Sequence, residues 1–175
     1  DLLDGQLLRI LGSAPHGGAD IGECLAAARL IDPANLDSWY EQWTALGVIA
    51  NCQPLWAVHG GYTDDLALPL VGSARAERMY PFGSLARLGA TLAFGSDWAV
   101  STPDPMLVLD VATRRLDRDD PDTRPFGPAS ERLSLEAGLR AYTRGSAQAN
   151  DLDDETGSID VGRPADLVLL DADPL

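Results

Sequence analysis

Asp97 is the residue best placed to do chemistry. It follows the apolar run Leu92-Ala93-Phe94, which can cross a packed sheet as a buried strand. Gly95 and Ser96 turn the backbone out at the strand's carboxyl end, and the Pro-rich loop Ser101-Thr102-Pro103-Asp104-Pro105 lies behind. In barrel enzymes that edge is where active sites are built. A carboxylate there can ligate a metal and move a proton. Asp also caps turns, so the same residue has a purely structural reading.

The other reactive side chains bound what chemistry is open. All 13 basic residues are Arg, because the sequence contains no Lys. A phosphate-binding P-loop Lys, a Schiff-base Lys and a metal-bridging carbamylated Lys are therefore excluded within these 175 residues. His16 and His59 are the two histidines, so a metal site built here is short of imidazole. Cys24 and Cys52 are too few for a disulfide framework and fit a reducing compartment.

A net charge of −14 argues against nucleic acid, whose phosphates need clustered cations, and against anionic membrane surfaces. Apolar content of 45% and charged content of 23% are those of a globular domain with a core. No apolar run approaches the roughly 20 residues of a membrane span. With no basic, hydrophobic leader, the expectation is a cytoplasmic protein. Asp1 and Leu175 read as cut ends.

Positioning Asp97 requires neighbouring elements. Residues 1–24 lack periodicity and read as irregular. Ala28 to Ile31 reads as a short strand, and Asp32-Pro33 as an N-cap followed by proline at the first helical position. Leu36, Trp39, Tyr40, Trp43 and Leu46 recur at spacings of three and four, which predicts a helix with one apolar face, closed by Gly47. Val48 to Cys52 reads as the following strand, ended by Gln53-Pro54. A long connection from Leu55 to Gly83 carries Trp56, His59, Tyr62 and Arg78; connections of that length are often functional. Ser84 to Leu88 reads as a short helix stopped by Gly89, and Ala90 to Gly95 as a strand. Met106 to Arg118 reads as a helix entered through Asp104-Pro105. Ser134 caps a further helix to Ala147, with Leu135, Leu139 and Tyr142 on one face. Gly157 to Gly162 is turn-rich, and Ala165 to Asp171 has a buried-strand pattern. Alternation of strands and helices means a parallel α/β sheet.

Four stretches carry a family resemblance: residues 46–56 (LGVIANCQPLW), 80–85 (YPFGSL), 94–98 (FGSDW) and 157–171 (GSIDVGRPADLVLLD). In this order they resemble the C-terminal part of the metal-dependent amidohydrolases, specifically amidohydrolase family 3, the YtcJ-like group that includes N-substituted formamide deformylases. The resemblance implies an α/β fold: the C-terminal part of a TIM (β/α)8 barrel plus the start of a small β-sandwich. A whole barrel takes about 250 residues. Residues 25–150 would be the last βα units, with Cys52-Gln53 ending strand seven and Asp97 ending strand eight. Residues 151–175 would begin the sandwich, and 1–24 are unmatched.

By the same resemblance, Asp97 is catalytic and a metal ligand: it binds the metal or its water and passes a proton to the leaving nitrogen. Gln53, Trp56 and Trp98 flank the same mouth and line a substrate pocket, or the tryptophans cap the hydrophobic end of the barrel. Arg78 pairs with a substrate carboxylate or with one of the 27 acids. The implied reaction is hydrolysis of a non-peptide amide or formamide bond in a small molecule. A divalent metal, zinc, is expected in the complete enzyme and none in this chain alone. The reason is a departure from the family pattern. The His that family members carry before the Asp-Pro helix start falls on Ala27, and His16 and His59 lie at the wrong places to replace it. Hence the competing expectation, a truncated or degenerate non-catalytic piece that serves as an interaction module. The oligomeric state stays open.

Overall fold

The computed structural model describes residues 36–120 and 122–173. The chain divides into two units, Asp1–Val48 and Ile49–Leu175. The expected strand at 28–31, the Asp32-Pro33 cap, Ala27, His16 and the irregular 1–24 region lie outside the described residues.

In the first unit, helix α1 spans Leu36–Ala45. Its stop is legible locally. Gly47 takes φ 71, and the Gly47 and Val48 N–H groups donate to the Thr44 and Trp43 carbonyls, each at 3.0 Å. This pair of reversed bonds satisfies carbonyls that a helix end otherwise leaves orphaned, and glycine adopts the left-handed turn without a Cβ clash. Tyr40 is buried and stacks at a tilt on Trp43, ring centroids 5.7 Å apart. Leu46, expected on the apolar face, is instead 51% exposed, because the helix has ended before it.

The second unit is built around two parallel strands, β1 at Ala50–Cys52 and β2 at Leu92–Phe94, in the register Ala50↔Leu92, Asn51↔Ala93 and Cys52↔Phe94. Both are shorter than the sequence pattern suggests. All three β2 residues are buried, as expected for a parallel strand covered on both faces. Two helices cover it. Helix α4, Phe82–Arg87, brings Phe82 to 6.3 Å from the Phe94 ring. The other helix begins a long helical run behind Ser134, whose Oγ accepts the Ala137 N–H at 3.2 Å. This run is α6, Leu135–Arg140, continued by a π-helical turn at Ala141–Gly145 and by α7, Ser146–Ala149.

The packed face of that run is not the Leu135, Leu139 and Tyr142 face expected. Those three are only half-buried, whereas Gly138, Ala141, Gly145 and Ala147 are buried. Small residues win because the backbones nearly touch. A Cβ on Gly145 would sit 1.9 Å from the Leu92 carbonyl oxygen. Tyr142 still contributes, edge-on to Phe94 at 5.7 Å.

The connection after β1 is folded rather than a structureless loop. It contains a 3-10 turn at Pro54–Trp56, a π-helical turn at Gly61–Ala67, and the short helices α2 (Leu68–Val71) and α3 (Ser73–Ala76). Helix α5, Pro105–Arg114, begins as expected: the Asp104 carboxylate accepts the Met106 N–H at 2.9 Å and Pro105 follows. It ends earlier than expected, because Arg115 turns left-handed at φ 57 and buries its side chain completely. Its Nε and both terminal nitrogens donate to the carbonyls of Phe126 (2.7 Å), Tyr80 (2.9 Å) and Met79 (3.2 Å). The segment 165–171 forms no strand among the described residues, and Val168 and Leu169 are 85% and 98% exposed. An apolar alternating stretch becomes a strand only when another strand supplies its hydrogen bonds.

Candidate active-site edge

Because β1 and β2 are parallel and in register, their carboxyl ends form one edge. Gln53 leaves β1 opposite Gly95, and Asp97 follows two residues later. The two strand exits adjoin: a Cβ on Gly95 would lie 4.0 Å from Gln53 Nε2, an ordinary contact distance. That amide donates to Asn51 Oδ1 at 3.2 Å.

Asp97 has φ 62, a left-handed conformation that Asp and Asn tolerate better than most residues. Its backbone carbonyl, not its side chain, closes the turn, accepting the N–H groups of Val100 at 2.7 Å and Ser101 at 3.1 Å. The Ser101 hydroxyl donates to the Ser96 carbonyl. Asp97 is exposed, and among the described residues its carboxylate has no hydrogen-bond or ion-pair partner. The side chain is thus not spent on capping, and its lone pairs remain available.

The other residues singled out in the sequence lie in the segments that follow the two strands. Trp56 ends the 3-10 turn after Gln53, half-buried, with its ring 6.0 Å from that of Tyr62. Trp98 is 68% exposed. His59 is not a solvated loop histidine. Its side chain is 11% exposed, its Nδ1 lies 2.7 Å from Asp64 Oδ1, and its ring meets Phe126 edge-on at 5.2 Å. The imidazole hydrogen bond, with help from the Gly60 N–H on the other oxygen at 3.0 Å, holds the Asp64 carboxyl below its usual range. Arg78 is half-buried on the approach to α4.

Two charged residues that sequence reasoning did not single out organise the chain beneath this edge. Arg115 lies within 6.0 Å of the Tyr80, Phe82 and Phe126 ring centres, and burial brings its guanidinium down to about 10. Glu131 is buried; its carboxylate accepts the Ser84 N–H at 2.8 Å and the Ser84 hydroxyl at 2.5 Å, close to the first turn of α4. Asp, Glu and phosphate are favoured at a helix N-terminus, where backbone N–H groups lack partners. No local signal marks either residue, since their partners lie 11 to 47 positions away.

A parallel α/β arrangement with an acid at the strands' carboxyl edge defines a broad class of enzymes. The particular family follows from comparison. The pattern of the amidohydrolase family matches residues 33–175, and the chain belongs to amidohydrolase family 3. The chain is similar to the protein LONG AFTER FAR-RED 3 of Arabidopsis thaliana, 33% identical over 125 residues, covering 71% of this chain and 21% of that protein. It is also similar to the N-substituted formamide deformylase of Arthrobacter pascens, 30% identical over 98 residues, covering 56% of this chain and 17% of that enzyme. Among solved structures, a metal-dependent hydrolase from Pyrococcus furiosus matches with a TM-score of 0.61 and 27% identity, over 79% of this chain and 26% of the other. The chain therefore spans about a sixth to a quarter of the length of these proteins.

Family membership points to a divalent metal, so the donor set here was tested against one. A catalytic zinc site has three protein ligands and one open position. The described residues contain no cluster of three or more His, Cys, Asp or Glu side chains able to hold a metal. Nδ1 of His59 is engaged by Asp64, and burial pushes the Cys52 thiol up to about 12 while it donates to the Ala50 carbonyl at 3.4 Å. Asp97 offers an unpartnered carboxylate at the edge, and the donors among the described residues do not by themselves fit a metal centre.

Proposed function

We propose that this chain is the C-terminal barrel portion of a hydrolase that cleaves an amide or formamide carbon–nitrogen bond in a small molecule, with Asp97 as its proton shuttle. The observation that carries the reading is the exposed, unpartnered Asp97 carboxylate at the common edge of two parallel strands, in a member of the amidohydrolase family. In this role Asp97 accepts a proton from the attacking water and delivers it to the leaving nitrogen. The similarity to a formamide deformylase supports this choice of bond. Gln53, Trp56 and Trp98 are assigned to substrate binding because they leave the same strand ends. A divalent cation, zinc, belongs to the proposal for the complete protein only, with Asp97 as one ligand and the others supplied from outside the described residues. The barrel and the β-sandwich begun by 151–175 are likewise proposed for the complete protein.

Asp97→Asn in the full-length protein tests this. Asn keeps the volume and tolerates the left-handed backbone but accepts no proton. Hydrolysis of N-benzylformamide should fall about 10²–10⁴-fold, the usual contribution of general acid–base catalysis. The melting temperature should hold. Activity retained within a few-fold would make Asp97 structural and favour a non-catalytic role for the chain.

A further inference from the structure

At the amino end of β2, the end away from Asp97, a cleft of about 370 Å³ opens beside α4 and the helical run of α6 and α7. Ala141 and Gly145 of that run are buried beneath it, and Thr91, Arg140, Arg144 and Gln148 supply its polar side chains. We infer that this cleft binds an oxyanion, a carboxylate or a phosphate, through the Arg144 guanidinium. The site does not depend on the amide-hydrolase reading.

Placement is the first argument. Arg140, Arg144 and Gln148 follow one another at intervals of four along the helical run, so they share one side of it, with Ala141 and Gly145 next to them. Gly145 has no Cβ to hold the backbones apart, and the run lies against the Leu92 carbonyl at the start of β2. Its long polar side chains therefore come to share one cleft with Thr91.

Charge is the second argument. Arg144 is half-buried, and among the described residues its guanidinium has no hydrogen-bond or ion-pair partner. Other arginines are treated differently. Buried Arg115 spends its donors on three carbonyls, and half-buried Arg163 pairs with Asp160. Arg75 and Arg118, which also lack partners among the described residues, are exposed to water. In a chain with 27 acids, a lack of carboxylates does not explain the state of Arg144. Burial strips water from a cation, and an anion in its place offsets that cost. Guanidinium presents five N–H donors in a planar fork that matches a carboxylate or phosphate. The Gln148 amide and the Thr91 hydroxyl are likewise unpartnered among the described residues, so further donors are at hand. Arg140 adds a second positive charge. Its partner is the exposed Glu136 at 3.5 Å, and exposed pairs of this kind contribute little, so little holds Arg140 away from the cleft. Among the described residues no carboxylate lines the cleft.

The test uses full-length protein carrying isotope-labelled arginine, titrated with sodium phosphate at constant ionic strength. The Arg144 Nε–H resonance is assigned by its loss in Arg144→Gln. A saturable shift of that resonance supports a site for a free oxyanion, together with a calorimetric phosphate affinity about tenfold or more weaker in Arg144→Gln. Loss of a hydrogen bond to a charged group has an effect of this size. The same chemistry has a second source, a carboxylate from another segment of the complete protein. In that case the Arg144 Nε–H exchanges with water far more slowly than that of Arg118 before phosphate is added. Phosphate then leaves it unmoved, and the protection disappears as pH falls through the carboxylate range. That outcome also supports the oxyanion site and assigns its source. An Nε–H that exchanges as fast as that of Arg118 and ignores phosphate overturns the inference. So does protection that persists in acid, or a phosphate affinity equal in wild type and Arg144→Gln. Should Arg144→Gln fail to fold, Arg144→Lys keeps the charge but loses the fork. It should bind phosphate several-fold more weakly, and an unchanged affinity overturns the inference as well.

Discussion

Two carboxylates in the second unit are treated oppositely by the fold. Glu131 is 5% exposed, and both of its oxygens are engaged by Ser84, with Arg87 3.7 Å from one of them. Asp97 stands in solvent at a strand edge with its carboxylate unpartnered among the described residues. A buried carboxylate survives only when its lone pairs are satisfied, and once satisfied it has nothing left to offer a substrate. An exposed one at the end of a strand keeps its lone pairs open to a partner. The layer of Arg115 and Glu131 thus makes structure, and the strand edge is free to make chemistry.

The sharpest way to break this contrast is Arg115→Met. It leaves the carbonyls of Met79, Tyr80 and Phe126 without their donors and removes a buried cation from three aromatic rings. Leaving a buried acceptor without its donor costs about 1–3 kcal/mol, and here three carbonyls lose one together. Denaturant unfolding should show that loss, and a loss below about 1 kcal/mol would mean the Arg115 hub is not structural. Glu131→Gln should cost about 1–3 kcal/mol, since an amide nitrogen then faces a Ser84 donor. The same neutralisation at Asp97 should move stability by no more than about 0.5 kcal/mol, as at other exposed sites without partners. Equal losses at 131 and 97 would erase the distinction.

The His59–Asp64 pair is intermediate and should give the smallest effect. The Asp64 carboxyl is held below its usual range, first by the His59 hydrogen bond. A depressed folded-state value contributes stability that is present above the unfolded carboxylate range and lost as pH falls through the folded value. Asp64 is 40% exposed, so solvent screening limits the term to below about 1 kcal/mol. Melting curves should therefore separate wild type from Asp64→Asn near neutral pH and converge at a pH below the ordinary carboxylate value. Curves that stay parallel down to that pH would show the pair contributes nothing through ionisation.

What the sequence revealed follows the same division. Gly47, Gly89, Asp104 and Ser134 act on their own neighbours within a few residues, so the ends of α1, α4, α5 and α6 were legible. The parallel pairing of β1 with β2 and the edge holding Gln53 and Asp97 were legible from strand order. Arg115 was not, because within a helix expected to run to Arg118 a long cation gives no sign of burial until the carbonyls 11, 35 and 36 positions away are seen around it. Nor was the Gly138, Ala141 and Gly145 face: periodicity finds large apolar residues and passes over the hydrogens that let a helix lie flat on a strand. The fate of 165–171 depends on a partner strand, which no pattern within the segment encodes.

The backbone at Asp97 shortens the alphabet open to that position. A φ of 62 suits glycine, asparagine and aspartate and penalises nearly every other letter. Among those three, only aspartate carries a charge. On the proposed shuttle role, conformation narrows the choice and the need for a proton acceptor completes it, so one residue answers two independent demands. A saturation library at position 97 would separate them: selection for folding alone should return all three residues, and selection for hydrolysis should return one.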